Sequence, residues 1–177
     1  RPATLNFLLR YADREVHAAE MARFTLRKMA AGGMRDHLGG GFHRYSVDGA
    51  WHVPHFEKML YDQAQLVVSY VEAWQGTHDK FFAGVARETL EYVLRDMTHP
   101  EGGFYSAEDA DSLVRHGRTD HAEGAFYVWC RDEIDELLGP EAGEVFSKHY
   151  GVEANGNAPD GSDPHGEFTG LNILIER

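Results

Sequence analysis

The chain has 177 residues, with 17 Lys+Arg against 29 Asp+Glu and a net charge of −12. That acidity excludes a general nucleic-acid binder and disfavours an anionic membrane surface, since both need a basic face; no apolar run is long enough to span a bilayer. Hydrophobic residues make up 42% of the chain, enough for one core, and a single cysteine, Cys130, rules out an intrachain disulfide framework or a Cys-x-x-Cys motif and fits a reducing, cytoplasmic setting.

The opening run, RPATLNFLLRYADREVHAAE, is amphipathic and soon acidic, unlike a signal peptide. Residues 4–31 read as one long helix, because Leu5, Leu8, Ala12, Val16, Ala19, Ala22, Leu26 and Met29 recur at steps of three and four. Gly32-Gly33 ends it, and a long link follows through the triple glycine 39–41. Within that link FHRYSV and AWHV flank Asp48-Gly49, a hairpin turn signal. A second helix is expected over 55–75, with Phe56, Leu60, Ala64, Val67, Val71 and Trp74 on its apolar face. His55, Lys58, Asp62, Gln65 and Ser69 make a polar stripe at the same spacing. A third helix over 78–97 buries Phe82, Ala86, Leu90, Val93 and Met97. A second long link, 98–130, holds the strand-like pieces GGFYSA and GAFYVW. Short helices follow at 131–138 and 141–149, then a polar Gly/Pro-rich loop and a short strand in LNILIER. The fold class is all-α with small β-hairpins, and both ends read as cuts in a longer polypeptide.

Short links join antiparallel neighbours. The turn at Gly76 is short, so both long links are expected at the opposite end of the helices, which is where a helical toroid or bundle builds a site.

The chemistry-bearing residues gather in two runs. HRYSVDGAWHVPHFEKMLYDQ carries His43, Arg44, Tyr45, Trp51, His52, His55, Glu57, Lys58 and Asp62; SAEDADS carries Glu108, Asp109 and Asp111 just after Tyr105. Neighbouring carboxylates raise one another's pKa toward the range of a general acid, and nearby histidines make acid–base work on a neutral polyol reasonable. Tyr45, Trp51, Phe104 and Tyr105 offer flat faces for sugar rings. The plainer readings stand beside these: Lys58–Asp62 as an i,i+4 ion pair, SAEDADS as a loop brace, and Cys130 as a buried small hydrophobe. His17, His78, His99, His116, His121 and His149 read as surface residues. His52-x-x-His55 has a proline between its histidines and no third ligand fixed by spacing, so no metal and no cofactor is assigned.

The runs GGMRDHLGGGFHRYSVDGAWHVPHFEKMLYDQAQL, YVLRDMTHPEGGFYSAEDADS, EGAFYVW and HGEFTGLNIL closely resemble the thioredoxin-domain-containing family that includes spermatogenesis-associated protein 20. The resemblance covers almost the whole chain, and such long runs in this order are specific. It implies an N-terminal thioredoxin-like domain followed by an (α/α)6 barrel of the six-hairpin glycosidase type, similar to that of N-acylglucosamine 2-epimerase. On that basis residues 1–177 are the first portion of a partial (α/α)6 toroid, without the thioredoxin-like domain and the later hairpins.

The expected function is a carbohydrate-active or carbohydrate-binding domain. Hydrolysis needs two carboxyl groups, roughly 5–5.5 Å apart if retaining or 6.5–9.5 Å if inverting, and Glu57 with Asp109 or Asp111 is the candidate pair. Epimerisation moves a proton next to a carbonyl, with His43 and His55 as candidates. Arg44, Tyr45, Trp51, Lys58, Asp62, Tyr105, Glu108 and Asp111 are the expected binding residues, for a small carbohydrate. The alternative is a non-catalytic interaction module of a redox or protein-quality protein.

Overall fold

A computed structural model describes residues 2–114, 119–159, 161–163 and 166–177. Among them are α1 (Pro2–Tyr11), α2 (Val16–Ala31), α3 (Leu60–Thr77), α4 (Lys80–Asp96), α5 (Arg131–Leu138) and α6 (Pro140–His149), with eight short strands between and after them. The sequence reading of His116 as a surface residue lies outside the described residues.

The single helix expected over 4–31 is two helices. Glu15 leaves helical geometry at φ −144° and its carboxylate accepts from the His17 N–H at 3.2 Å, so it caps α2 and lets α1 fold back. That return packs α1 on both α2 and α3. Val16, read as part of the buried stripe, is exposed at the new helix start.

The second helix starts at Leu60, not at 55. Residues 54–59 are extended instead, because tertiary pairing outweighs helical spacing there. Pro54-His55 forms β2 against β1 (Tyr45–Ser46), in the register Tyr45 to His55. Lys58-Met59 forms β3 against β4 (Ala107–Glu108), in the register Lys58 to Glu108. His55, Glu57 and Lys58 therefore lie outside the helix, and its dipole has no direct hold on His55. The buried face of α3 is rotated from the expected one: Asp62, Gln63, Leu66, Ser69, Tyr70 and Ala73 point inward, while Ala64 and Trp74 are exposed. Gln63 explains the rotation. Its side chain accepts from the Phe42 N–H at 2.8 Å and donates to the Phe42 carbonyl at 2.6 Å, satisfying the two Phe42 backbone groups that its antiparallel bridge to Arg35 leaves free. In α4, capped by Asp79, whose carboxylate accepts from the Phe81 N–H, Phe82, Ala86 and Val93 are buried as expected, but Leu90 is exposed and Val85 and Tyr92 are buried in its place.

Two further strand pairs complete the links: β5 (Asp111–Leu113) with β6 (His121–Glu123), and β7 (Val128–Trp129) with β8 (Asn172–Ile173). Asp48-Gly49 does not make a two-residue turn. The Asp48 carboxylate gathers the N–H groups of Ala50, His52 and Val53, bracing a wider loop between β1 and β2. Gly32 and Gly33 do more than stop α2: a Cβ on either would collide with the carbonyls of Trp51 and His52, so this loop lies directly on the helix end. Cys130 is half-buried before α5 rather than fully buried.

The main core joins α1, α2, α3 and α4 through Leu5, Leu26, Phe42, Leu66, Tyr70 and Phe82. The Tyr70 hydroxyl donates to the Leu26 carbonyl at 2.7 Å. A second core, Val53, Phe56, Ala110, Phe168 and Ile173, lies under the two long links. Both links thus meet beside the start of α3, where Leu60 N–H donates to the Ser106 carbonyl at 2.9 Å. Among the described residues no helix is long and apolar enough to cross a membrane.

Candidate functional site

Strand alternation divides the candidate residues into two groups. On the β3–β4 ladder Lys58 and Glu108 are register partners, and Glu57 and Asp109 are the next positions along the two chains. Because successive side chains alternate between faces, Lys58 turns inward while Glu57 turns toward the half-exposed side.

The inward group is built around Lys58, which is 1% exposed. Its ammonium donates to the Asp36 carboxylate at 2.8 Å and to the Gly40 carbonyl at 2.9 Å. It lies 4.3 Å from the ring centroid of Tyr92 and 4.8 Å from that of Tyr127. The expected Lys58–Asp62 pair is therefore not formed; Asp36, 22 residues upstream, takes the ammonium. Burial pushes the Asp36 carboxyl up, but Lys58 and the Gly39 and Leu38 amides outweigh it and hold it below the usual carboxylate range. The Tyr127 hydroxyl donates to Glu108 at 3.1 Å. Burial, with the Glu108 charge nearby, raises the pKa of both Tyr92 and Tyr127, so both stay phenols.

His43 completes this group. It is 2% exposed, and its Nδ1 lies 3.1 Å from the Phe56 carbonyl. The rings of Phe56 and Tyr127 meet it edge-on, at 5.0 and 4.7 Å between centroids. Burial and the Lys58 charge lower its pKa to about 3, so it is neutral at physiological pH.

The half-exposed group is a brace. His55 Nδ1 lies 2.6 Å from Glu123 and its Nε2 3.3 Å from Glu57, while Arg44 donates to Glu57 at 2.6 Å. Glu123 also accepts from the Phe56 N–H at 3.2 Å, and the Tyr45 ring stacks on His55 at 4.9 Å. Asp62 lies nearby in the first turn of α3, where burial raises its pKa against the opposing pull of Arg44.

The remaining candidates are placed elsewhere. Asp109 is exposed and accepts from the Asp111 N–H at 3.1 Å, a local turn brace. Tyr105 is exposed against His99, and Trp51 packs on the helical core at a positive φ of 64°. The structure thus brings His43, Lys58 and Glu108 together, and separately Arg44, Tyr45, His55 and Glu57. It does not gather all of them round one pocket.

A cleft of about 340 Å³ opens beside the inward group, lined among others by Asp36, His37, His43, Phe126, Tyr127 and Trp129. Only His43 of the expected site residues lines it. Asp36 and His37 went unnoticed in the sequence because RDHLGGG carries no motif; the signal available was a short charged run immediately before a triple glycine. Tyr127 was visible only as a strand aromatic in GAFYVW. Among the described residues no cluster of three or more His, Cys, Asp or Glu is arranged to hold a metal ion.

No protein-family model matches the chain. Its sequence is 48% identical to mouse spermatogenesis-associated protein 20 over 192 aligned residues, covering 99% of this chain and 24% of the relative. The human protein of that name gives the same identity and coverage. The chain has homologues named spermatogenesis-associated protein 20. An uncharacterised Caenorhabditis elegans protein is 42% identical over 96% of this chain and 25% of its own length. The chain thus spans about a quarter of the length of the curated relatives it matches. The similarity to spermatogenesis-associated protein 20 covers both long links, and with them the inward group, the brace and the cleft.

Proposed function

We propose that the chain is part of an (α/α)6 toroid of the six-hairpin glycosidase type, and that its cleft binds a carbohydrate. One observation carries the reading: where the two long links meet, the aromatic residues Phe126, Tyr127 and Trp129 stand with a carboxylate, Asp36, and a neutral histidine, His43, around a volume suited to a small ligand. Flat apolar walls with a few oriented polar groups suit a sugar ring. The helix-rich architecture and the long links at one end support the toroid. The thioredoxin-like domain, the remaining hairpins and a cytoplasmic location belong to the same proposal.

Binding, with proton transfer as in epimerisation, fits this arrangement better than hydrolysis by Glu57 and Asp109. Glu57 is engaged by Arg44 and His55, and Asp109 by its own turn. The same brace favours a second reading, a non-catalytic module in which these residues hold the two links together. Titrating the full-length protein with glucose, N-acetylglucosamine and cellobiose, while following Trp129 emission in a variant retaining that tryptophan alone, separates the two. Saturable quenching supports the cleft reading; no response to any of the three leaves the structural module.

A further inference from the structure

The cleft's polar groups have a common character. The Phe56 carbonyl only accepts, so the His43 Nδ1 beside it carries the hydrogen. A neutral imidazole has one N–H, which leaves Nε2 with a lone pair, and among the described residues Nε2 has no hydrogen-bond partner. The edge contacts of Phe56 and Tyr127 fix the ring plane. His37 also turns a ring nitrogen to a carbonyl: its Nε2 lies 3.0 Å from the Gly32 carbonyl, while its Nδ1 faces the Glu176 carboxylate at 3.8 Å, and burial lowers its pKa. The Asp36 carboxylate also lines the cleft, its charge balanced by Lys58.

Among the described residues, the cations near the cleft are already committed. The Arg35 guanidinium is ion-paired with Glu88, and the Lys58 ammonium is held by Asp36, Gly40, Tyr92 and Tyr127. A phosphate entering would lose hydration without gaining a free positive partner, in a protein whose net charge is −12. A hydroxyl group brings a donor and meets acceptors.

We infer that the cleft takes an uncharged, hydroxyl-donating sugar rather than a phosphorylated one, with His43 Nε2 accepting a hydroxyl proton of the ligand in a hydrogen bond. This rests on the carbohydrate reading and deepens it.

The test uses full-length protein labelled with 15N histidine. Long-range 15N–1H spectra report which His43 nitrogen bears the proton; titrations compare glucose and N-acetylglucosamine with glucose 6-phosphate. The expected result is a bare Nε2 that shifts on adding a neutral sugar, and affinity for the neutral sugar at least about ten-fold above that for the phosphate. His43→Asn keeps an N–H toward Phe56 and removes the outer acceptor, and should lose about ten-fold in neutral-sugar affinity. A protonated Nε2, a neutral sugar that binds without moving it, or equal binding of glucose 6-phosphate overturns the inference while leaving the carbohydrate reading intact. Absence of any response to all three sugars overturns both. The spectra of the unsubstituted protein decide the matter even where His43→Asn fails to fold.

Discussion

The Lys58 ammonium reaches the Asp36 carboxylate at 2.8 Å from the far side of the first long link, and both side chains are close to fully buried. The pair ties the turn before the triple glycine to the β3–β4 ladder. Asp36 also accepts from the Leu38 and Gly39 N–H groups, so one carboxylate shapes the turn and anchors it. Tyr92 and Tyr127 close over the cation.

Removing one member leaves a buried charge without its partner, which costs about 3–5 kcal/mol. Lys58→Met should therefore destabilise the protein by that order, seen as a fall in the urea midpoint. A loss within about 0.5 kcal/mol, typical of a surface change, would show that the pair is not buried in solution. Lys58→Met with Asp36→Leu should recover much of the loss, since both charges are then gone.

Acid should weaken the fold early. Burial holds His37, His43 and His52 below their ordinary 6.5, His43 to about 3. The unfolded chain then binds more protons than the folded one below pH 6.5, so stability falls as pH drops from there toward 3. The slope is up to about 1.4 kcal/mol per pH unit for each histidine. Asp36, lowered from 3.8, acts in the same direction at the acid end. Asp62, raised by burial, acts oppositely: its contribution is lost as pH rises through its folded pKa. Denaturant midpoints measured from pH 7 to 4 should fall steadily, and less steeply in His43→Asn. A flat profile would contradict neutral burial of these rings.

Glu57→Gln and Asp109→Asn separate the brace from the cleft. Glu57→Gln weakens half-exposed contacts to Arg44 and His55, and a loss of about 0.5–1 kcal/mol is expected. Asp109→Asn retains the side-chain oxygen that accepts from Asp111 and should be nearly neutral. Neutral-sugar affinity per folded molecule should stay unchanged in both. Collapse of binding or turnover with an unaltered melting temperature would return the chemistry to Glu57 and Asp109.

Gly41 tests the close packing under the site. Its φ of +77° disfavours any side chain, and a Cβ there would enter the Tyr92 ring. Gly41→Ala should cost more than about 1 kcal/mol, read from thermal melts. Gly49→Ala, with open space around it, is the control.

Much of the helical layer was legible because burial in a helix leaves a period of 3.6: Leu26, Met29, Phe82, Ala86 and Val93 are buried as their spacing predicts. Glycine and turn residues likewise marked the long links. The break at Glu15 was hidden because a Glu cap looks like any surface Glu in a periodic run. The start of α3 was hidden because Lys58, Asp62 and Ser69 kept helical spacing on to a stretch that strand pairing holds extended.

By itself the sequence determined an acidic, helix-rich chain with two chemistry-bearing links, since composition and periodicity are local properties carried by each segment. Which residues share a site was decided only by the tertiary structure. Period-two alternation on the β3–β4 ladder sends Lys58 inward and Glu57 outward, and the partner that makes Lys58 stable there, Asp36, is supplied from 22 residues away. Charges of equal prominence in the sequence thus part into a buried network and a surface brace, because desolvation tolerates a charge only where the fold brings its counter-charge.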